Sequence, residues 1–245
     1  MSTSEPAVFL SVVIPAFNEE ARLGETLRTI GTYLDSRSES FEIIVVGDGC
    51  TDRTCDVASE VLANRPGARI LRRAENRGKG YSVREGVLAS RGGLILFSDA
   101  DLSTPIAEFE KLQARILIGD DIAIGSRALP ESDIRRRQNR FRESMGKTFN
   151  FFVRLFVLRG IRDTQCGFKL FRREAALDVF SRLRVHGFGF DVEALYVARR
   201  LGYRIGQVPV VWINSPPSKV RIVRSSAGMI GDLLRIKRLH RDLKN

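Results

Sequence analysis

The run Leu94-Ile95-Leu96-Phe97 constrains this chain most, because it is unbroken in apolarity yet bounded by Gly92-Gly93 before it and Ser98-Asp99-Ala100-Asp101 after it. So short an apolar run between turn signals reads as a strand buried on both faces, the pattern of a parallel sheet. In an open α/β sheet the ligand crevice lies beyond the carboxyl ends of the strands, which puts Asp99 and Asp101 at its mouth. Residues i and i+2 of an extended chain point the same way, so both carboxylates can face one hard cation, and that cation can carry a diphosphate. An isolated Asp-x-Asp is more often a plain acidic turn. The rest of the chain decides between the two.

Before that run, strand and helix patterns alternate. Phe9 to Pro15 is a β-rich stretch stopped by proline. Asn18 then suits the cap of a helix with Glu19 and Glu20 at its positive end and Leu23, Leu27, Ile30 and Leu34 at helical spacing. A second apolar strand, Phe41 to Val46, runs into Gly47-Asp48-Gly49 and a helix bearing Val57, Ala58, Val61 and Leu62. A third, Ala68 to Leu71, leads to Asn76-Arg77-Gly78-Lys79-Gly80 and a helix reaching about Ala89. Glycines let backbone approach an anion, and Arg77 and Lys79 bring charge to a helix start that favours phosphate. After Asp101, Thr104-Pro105 opens a helix with Ile106, Phe109, Leu112 and Ile116 as its core stripe, and Asp121 to Gly125 is a further strand ending at Ser126-Arg127. This alternation predicts an α/β fold with a mainly parallel sheet. Asp48, the Asp99/Asp101 pair and Arg127 then converge on one edge, where a nucleotide is expected.

Beyond residue 127 the character changes. A basic run, Arg135 to Arg142, precedes the phenylalanine-rich stretch 149–158, too short to span a bilayer and interrupted by Arg154. Two readings fit it equally: a basic amphipathic helix at a membrane interface, or a helix packed on the protein's own core beside a solvated arginine patch. The aromatics are clustered rather than interleaved with arginines, which argues against a nucleic-acid surface. Thr164 to Phe171 reads as loop and strand, Arg173 to Leu183 and the segment from Asp191 to about Leu201 as helices. Arg204 to Ile213 is a last strand, with Pro209 marking an edge or bulge. From Ser225 onward a second basic amphipathic helix is expected, against a bilayer or closing over the site. Net charge of +11 calls for an anionic partner. Cys50, Cys55 and Cys166 show no metal-ligand spacing, an odd count that suits a reducing compartment, and only two histidines are present, which argues against a zinc site. No targeting pattern opens the sequence.

Ser11-Val12-Val13-Ile14-Pro15-Ala16-Phe17-Asn18-Glu19, Val46-Gly47-Asp48-Gly49, Asn76 to Gly80, Ser98-Asp99-Ala100-Asp101 and Gly125-Ser126-Arg127 together resemble family 2 glycosyltransferases of the GT-A fold. Asp163 to Phe171 and Phe190-Asp191-Val192-Glu193 bring the likeness closest to dolichyl-phosphate β-glucosyltransferases. The resemblance runs from about residue 9 to 240 and implies one glycosyltransferase domain. Residues 8–127 would form its nucleotide-sugar half and 128–245 its acceptor and membrane-facing half. It implies inverting transfer of a hexose from a nucleotide sugar, UDP-glucose first, to a polyprenyl or dolichyl phosphate at the cytoplasmic face of a membrane with anionic lipid. By position, Asp99 and Asp101 would hold Mg²⁺ or Mn²⁺. Pro15, Phe17, Asn18 and Glu19 would line the nucleotide pocket, Asp48 would contact the uridine, and Arg77, Lys79 and Arg127 would neutralise phosphate. Asp101, Gln165 and Asp191 would serve catalysis on the sugar and acceptor side. Gly47 departs from the family's usual pair of aspartates, leaving one carboxylate for the base or ribose. Alternatives are a mannosyltransferase using GDP-mannose, a nucleotidyltransferase, and a non-catalytic anion- or lipid-binding module. Nucleic acid is not an expected partner.

Overall fold

The computed structural model describes residues 8–136, 146, 148, 150–155, 157–215, 231–233 and 235–243. Strand β1 (Val8–Ala16) is followed by α1 (Glu20–Asp35), β2 (Phe41–Asp48), α2 (Thr54–Leu62), β3 (Arg69–Arg73), α3 (Lys79–Ala89) and β4 (Gly92–Ser98). A 3₁₀ turn, Ile106–Glu108, leads into α4 (Phe109–Leu117), then come β5 (Ile122–Ser126), β6 (Asp133–Arg136) and β7 (Phe168–Arg172). Helices α5 (Arg173–Ser181) and α6 (Phe190–Arg200) precede β8 (Ile205–Pro209) and β9 (Val211–Ile213).

The main sheet has seven strands in the order β3-β2-β1-β4-β7-β5-β8. All its pairings are parallel except the two made by β7, which runs antiparallel between β4 and β5. The apolar runs conceal a strict alternation. Leu94 and Leu96 point into one core with Val12, Ile14 and the α1 and α4 stripes, while Ile95 and Phe97 point into the other with Val13, Val83 and Phe190. Both faces are therefore covered by helices, and burying each such large side chain contributes roughly 1.5–3 kcal/mol. Pro15, which lacks an N–H, is tolerated in a central strand because β1 pairs with β4 only as far as Val13, while its pairing with β2 runs on to Ala16.

Several expectations need correction. Asn18 does not cap α1: the cap position is Glu19, without a side-chain cap bond, and Asn18 sits at φ 54° with its amide turned to the β2–α2 loop. The basic run does not begin as a helix, since Asp133–Arg136 is strand β6, paired in parallel with β9; residues 137–145 lie outside the described residues. The last expected strand is two strands, broken at Val210 so that β8 edges the main sheet and β9 joins β6. The described part of the C-terminal helix, 231–233 and 235–239, turns Leu233 and Ile236 into the core around Phe190 and Val192. That apolar stripe packs against the protein itself instead of a bilayer, while Ile230 and Leu234 lie outside the described residues. No helix among the described residues is long and apolar enough to cross a membrane.

Candidate active site

Because β1, β2, β4 and β5 run the same way, their carboxyl ends share one rim. Asp48 ends β2 and Asp99 follows β4, with β1 between them, so they stand two inter-strand spacings, about 10 Å, apart. Arg127 follows β5 on the far side of β7.

Asp99 and Asp101 form the centre. Lys79 Nζ lies 2.6 Å from Asp99 Oδ1 and forms an ion pair with it. Asp101 accepts the Ser103 N–H at 3.0 Å and has Arg22 at 4.0 Å. Burial first, and then the charge of Asp99, push the Asp101 carboxyl up from its ordinary range. Burial alone would lower Lys79, but Asp99, Asp191 and Asp101 outweigh it and hold the ammonium charged. Two carboxylates one residue apart, one of them pushed up by burial and by the charge of the other, are the chemistry a hard divalent cation relieves, so the pair fits Mg²⁺ or Mn²⁺. Among the described residues no group of three or more His, Cys, Asp or Glu side chains is placed to hold a metal, so such an ion would draw its remaining oxygens from a ligand or water.

Asp99 is aimed by its neighbours. Its N–H donates to the Gly167 carbonyl at 3.1 Å, and a Cβ at Gly167 would fall 1.9 Å from Asp99 Oδ2, so only glycine leaves that carboxylate its place. Gln165 sits just before, its N–H donating to Asp163 at 3.1 Å. Asp163 also receives Arg127 in a two-pronged pair at 2.7 and 2.9 Å, together with the Arg127 N–H. Burial opposes ionisation of Asp163, but the Arg127 guanidinium wins and brings the carboxyl down to about 2. Arg127, whose own pKa is raised through Asp163 against the pull of burial, also lies over the Trp212 ring and senses Asp99. Asp191 is buried against the Lys169 ammonium, which further donates to the Cys166 carbonyl at 2.6 Å. Burial pushes the Asp191 carboxyl up against the lowering effect of Lys169 and Lys79.

The Gly-rich basic loop is built differently from the expectation. Asp48 accepts the N–H groups of Arg77 and Gly78 at 2.8 and 2.9 Å and the Arg73 guanidinium at 2.8 Å. The next amides of α3, from Gly80 and Tyr81, donate to the His186 carbonyl at 2.8 and 3.2 Å. Four amides at this helix start, those of Arg77, Gly78, Gly80 and Tyr81, are thus taken by a carboxylate and a carbonyl. Arg77 itself is exposed and turns to Tyr81, and Lys79 alone of the loop's cations reaches the rim carboxylates. At Gly47 a Cβ would meet Cys55 Sγ at 2.2 Å, so the missing second aspartate has its space taken by a thiol. Pro15 is buried, Phe17 is 42% exposed at the rim, and Asn18 Oδ1 accepts the Thr51 N–H at 2.8 Å, joining the first two βα loops. Glu19 receives Arg22.

Sequence reasoning missed Arg22, Lys169 and Asp163. Arg22 was legible as the i+3 partner of Glu19 at the start of α1; Lys169, inside the Asp163 to Phe171 stretch, is the charge within the apolar buried part of β7.

A family model described as glycosyl transferase family 2 matches residues 11–180. The chain belongs to glycosyltransferase family 2. Among proteins similar to this glycosyltransferase, one from Drosophila melanogaster named dolichyl-phosphate beta-glucosyltransferase is 41% identical, the match covering 94% of this chain and 75% of that one. The Homo sapiens protein of the same name is 38% identical over 95% of this chain and 76% of its own. The crystal structure of glucosyl-3-phosphoglycerate synthase from Mycobacterium tuberculosis in complex with phosphoglyceric acid has the same fold. It superposes with a TM-score of 0.72 at 24% identity, covering 94% of this chain and 80% of that one. The sheet has the GT-A fold.

Proposed function

We propose that this glycosyltransferase moves glucose from UDP-glucose to the phosphate of dolichol or a related polyprenol, with inversion at the anomeric carbon and Mg²⁺ or Mn²⁺ held by Asp99 and Asp101. The observation that carries the reading is the Asp99/Asp101 pair at the carboxyl rim, with the charge of Asp99 helping to push up the Asp101 carboxyl and with Lys79 and Arg22 flanking them. The names of relatives at 36–41% identity support the acceptor and the sugar.

A bound divalent ion supplies charge stabilisation to the departing diphosphate. The protein's own part is to hold and screen charge. Asp99, propped by Gly167, and Asp101, fixed by the Ser103 amide, set the ion's place, and Lys79 adds a cation on the same side. A phosphate monoester has its second pKa near roughly 6, so the acceptor is already mostly dianionic at neutral pH and needs no strong base. Asp191, held against Lys169, and Gln165 then serve to orient the acceptor-side polar groups. Arg127, braced by Asp163, presents fixed positive charge to phosphate. Asp48, Asn18, Glu19, Pro15 and Phe17 shape the base and ribose end, with Arg77 at its outer edge.

The acceptor is a lipid, and one face suits it. Phe151, Phe152 and Leu155 are exposed on a helical stretch whose Val153 is buried, with Arg154 beside them. Apolar side chains with a cation at the border suit the acyl boundary of an anionic cytoplasmic leaflet. Residues 8–127 would then serve the donor and 128–245 the acceptor and membrane.

The test is a panel of UDP- and GDP-sugars incubated with a short polyprenyl phosphate and Mn²⁺, reading lipid-linked product and its anomeric configuration. UDP-glucose is expected to give β-linked product, lost in Asp101→Ala. Product only from GDP-mannose, or release of pyrophosphate, would overturn the assignment.

A further inference from the structure

Glu193 is completely buried, two residues beyond Asp191 on α6. Its carboxylate accepts the Arg184 N–H at 3.0 and 3.2 Å, the Val185 N–H at 2.9 Å and His240 Nε2 at 2.7 Å. Both Glu193 oxygens already accept backbone N–H groups, so the geometry suits His240 as a further donor. His240 is itself 4% exposed and comes from the C-terminal segment, 47 residues away.

The strand of chain that Glu193 grips leads directly to the rim. One residue past Val185, the His186 carbonyl accepts the Gly80 and Tyr81 amides. Packing there leaves no slack: a Cβ at Gly80 would meet the Val185 carbonyl oxygen at 2.6 Å and Phe190 Cβ at 2.5 Å, and one at Gly78 the His186 carbonyl oxygen at 2.4 Å. Lys79 lies between those two glycines and carries its ammonium to Asp99. The C-terminal segment has further anchors: Leu233 and Ile236 in the core, Asp232 over Gly189, and the Leu243 carbonyl receiving Arg200. Of these, His240 alone bonds to the group that holds residues 184 and 185.

We infer that His240 and Glu193 are positioning residues: the C-terminal helix, through the His240–Glu193 hydrogen bond, fixes the 184–186 turn and thereby the register of Lys79 against Asp99. Whether that register matters for transfer rests on the function proposed above; the mechanical linkage does not. A buried carboxylate with three donors loses its geometry when one is removed, and its two remaining amides are those that set the turn.

The experiment measures backbone amide exchange at Gly80 and Tyr81 together with steady-state transfer in His240→Leu, His240→Gln and Arg200→Ala. In His240→Leu the two amides exchange at least about tenfold faster, because the carbonyl they bond to is no longer held. Turnover falls about tenfold while the acceptor KM stays put, a misplacement of the kind that costs rate without binding. His240→Gln, whose amide nitrogen can donate to Glu193, restores both. Arg200→Ala cuts a different tie of the same segment and leaves both as in the wild type even where it lowers Tm. Unchanged exchange at Gly80 and Tyr81 in His240→Leu, or equal damage from Leu and Gln, overturns the linkage. Glu193→Gln is the second variant should His240→Leu fail to fold, and normal exchange at those amides in it overturns the linkage too. Faster exchange in a protein whose wild type transfers no sugar would sink the proposed function and leave the linkage standing.

Discussion

The two rims of the main sheet each carry a buried or half-buried carboxylate, and they treat it in opposite ways. At the amino-terminal rim Glu42 is fully buried and fully served: the Ser11 hydroxyl at 2.6 Å, the Arg91 N–H, and the guanidinium groups of Arg69 and Arg91 all donate to it. Burial opposes its ionisation, but those partners prevail and bring its pKa down. At the carboxyl-terminal rim Asp101 has one backbone donor, a distant Arg22 and a like charge beside it, and its pKa goes up. A carboxylate served by several donors stabilises the fold, whereas one with few donors and a raised pKa is a candidate ligand-binding group. Asp48 qualifies the rule: it stands on the functional rim yet is satisfied like Glu42, by Arg73 and two amides. Position at the rim is therefore not enough to mark a ligand-binding group; the state of its partners has to be read as well.

This contrast can be broken by substitution. Asp101→Ala should cost transfer about 10²- to 10³-fold, the range for removing a group that stabilises transition-state charge, while Tm in the absence of ligands stays level or rises. A stability loss with turnover intact would reverse the assignment of the two rims. Glu42→Gln should do the opposite, destabilising by about 3 kcal/mol in urea unfolding, because Arg69 and Arg91 lose their buried counter-charge, with KM values unchanged.

The Asp163–Arg127 pair sharpens the comparison through pH. A carboxyl at about 2 in the folded protein and near 3.8 unfolded adds stability that is complete above the higher value and disappears as pH falls through the lower. The difference corresponds to about 2 kcal/mol. Acid titration of stability should therefore show a loss between pH 4 and 2 that is missing in Asp163→Asn. The smallest effect belongs to Gly167→Ala. Its Cβ displaces Asp99, so turnover and Mn²⁺ affinity should drop about tenfold, with thermal stability close to wild type. Calorimetry with Mn²⁺ and UDP reads the affinity directly.

Much of this was legible in the residues. The apolar runs at 41–46 and 94–97 announced buried parallel strands, and the polar groups at their ends announced the rim that Asp48, Asp99, Asp101 and Arg127 share. Asn18 was misread because a capping residue and a residue at positive φ look alike in sequence: asparagine suits both. The loop at 76–80 was misread for a similar reason. Glycine and lysine beside a helix start describe an anion site until another carboxylate arrives, and Asp48 arrives from 29 and 30 residues away.

Local pattern and residue type alone determined the alternating strands and helices, the family, and the carboxylates that end β4, since each depends on neighbours within a few positions along the chain. Tertiary structure decided which charges are spoken for. It inserted β7 antiparallel between β4 and β5, which brings Gly167 under Asp99 and Lys169 to Asp191, and it brought His240 back to Glu193. The energy of a charged group is set by what lies within a few ångströms in space, and those partners come from anywhere in the sequence.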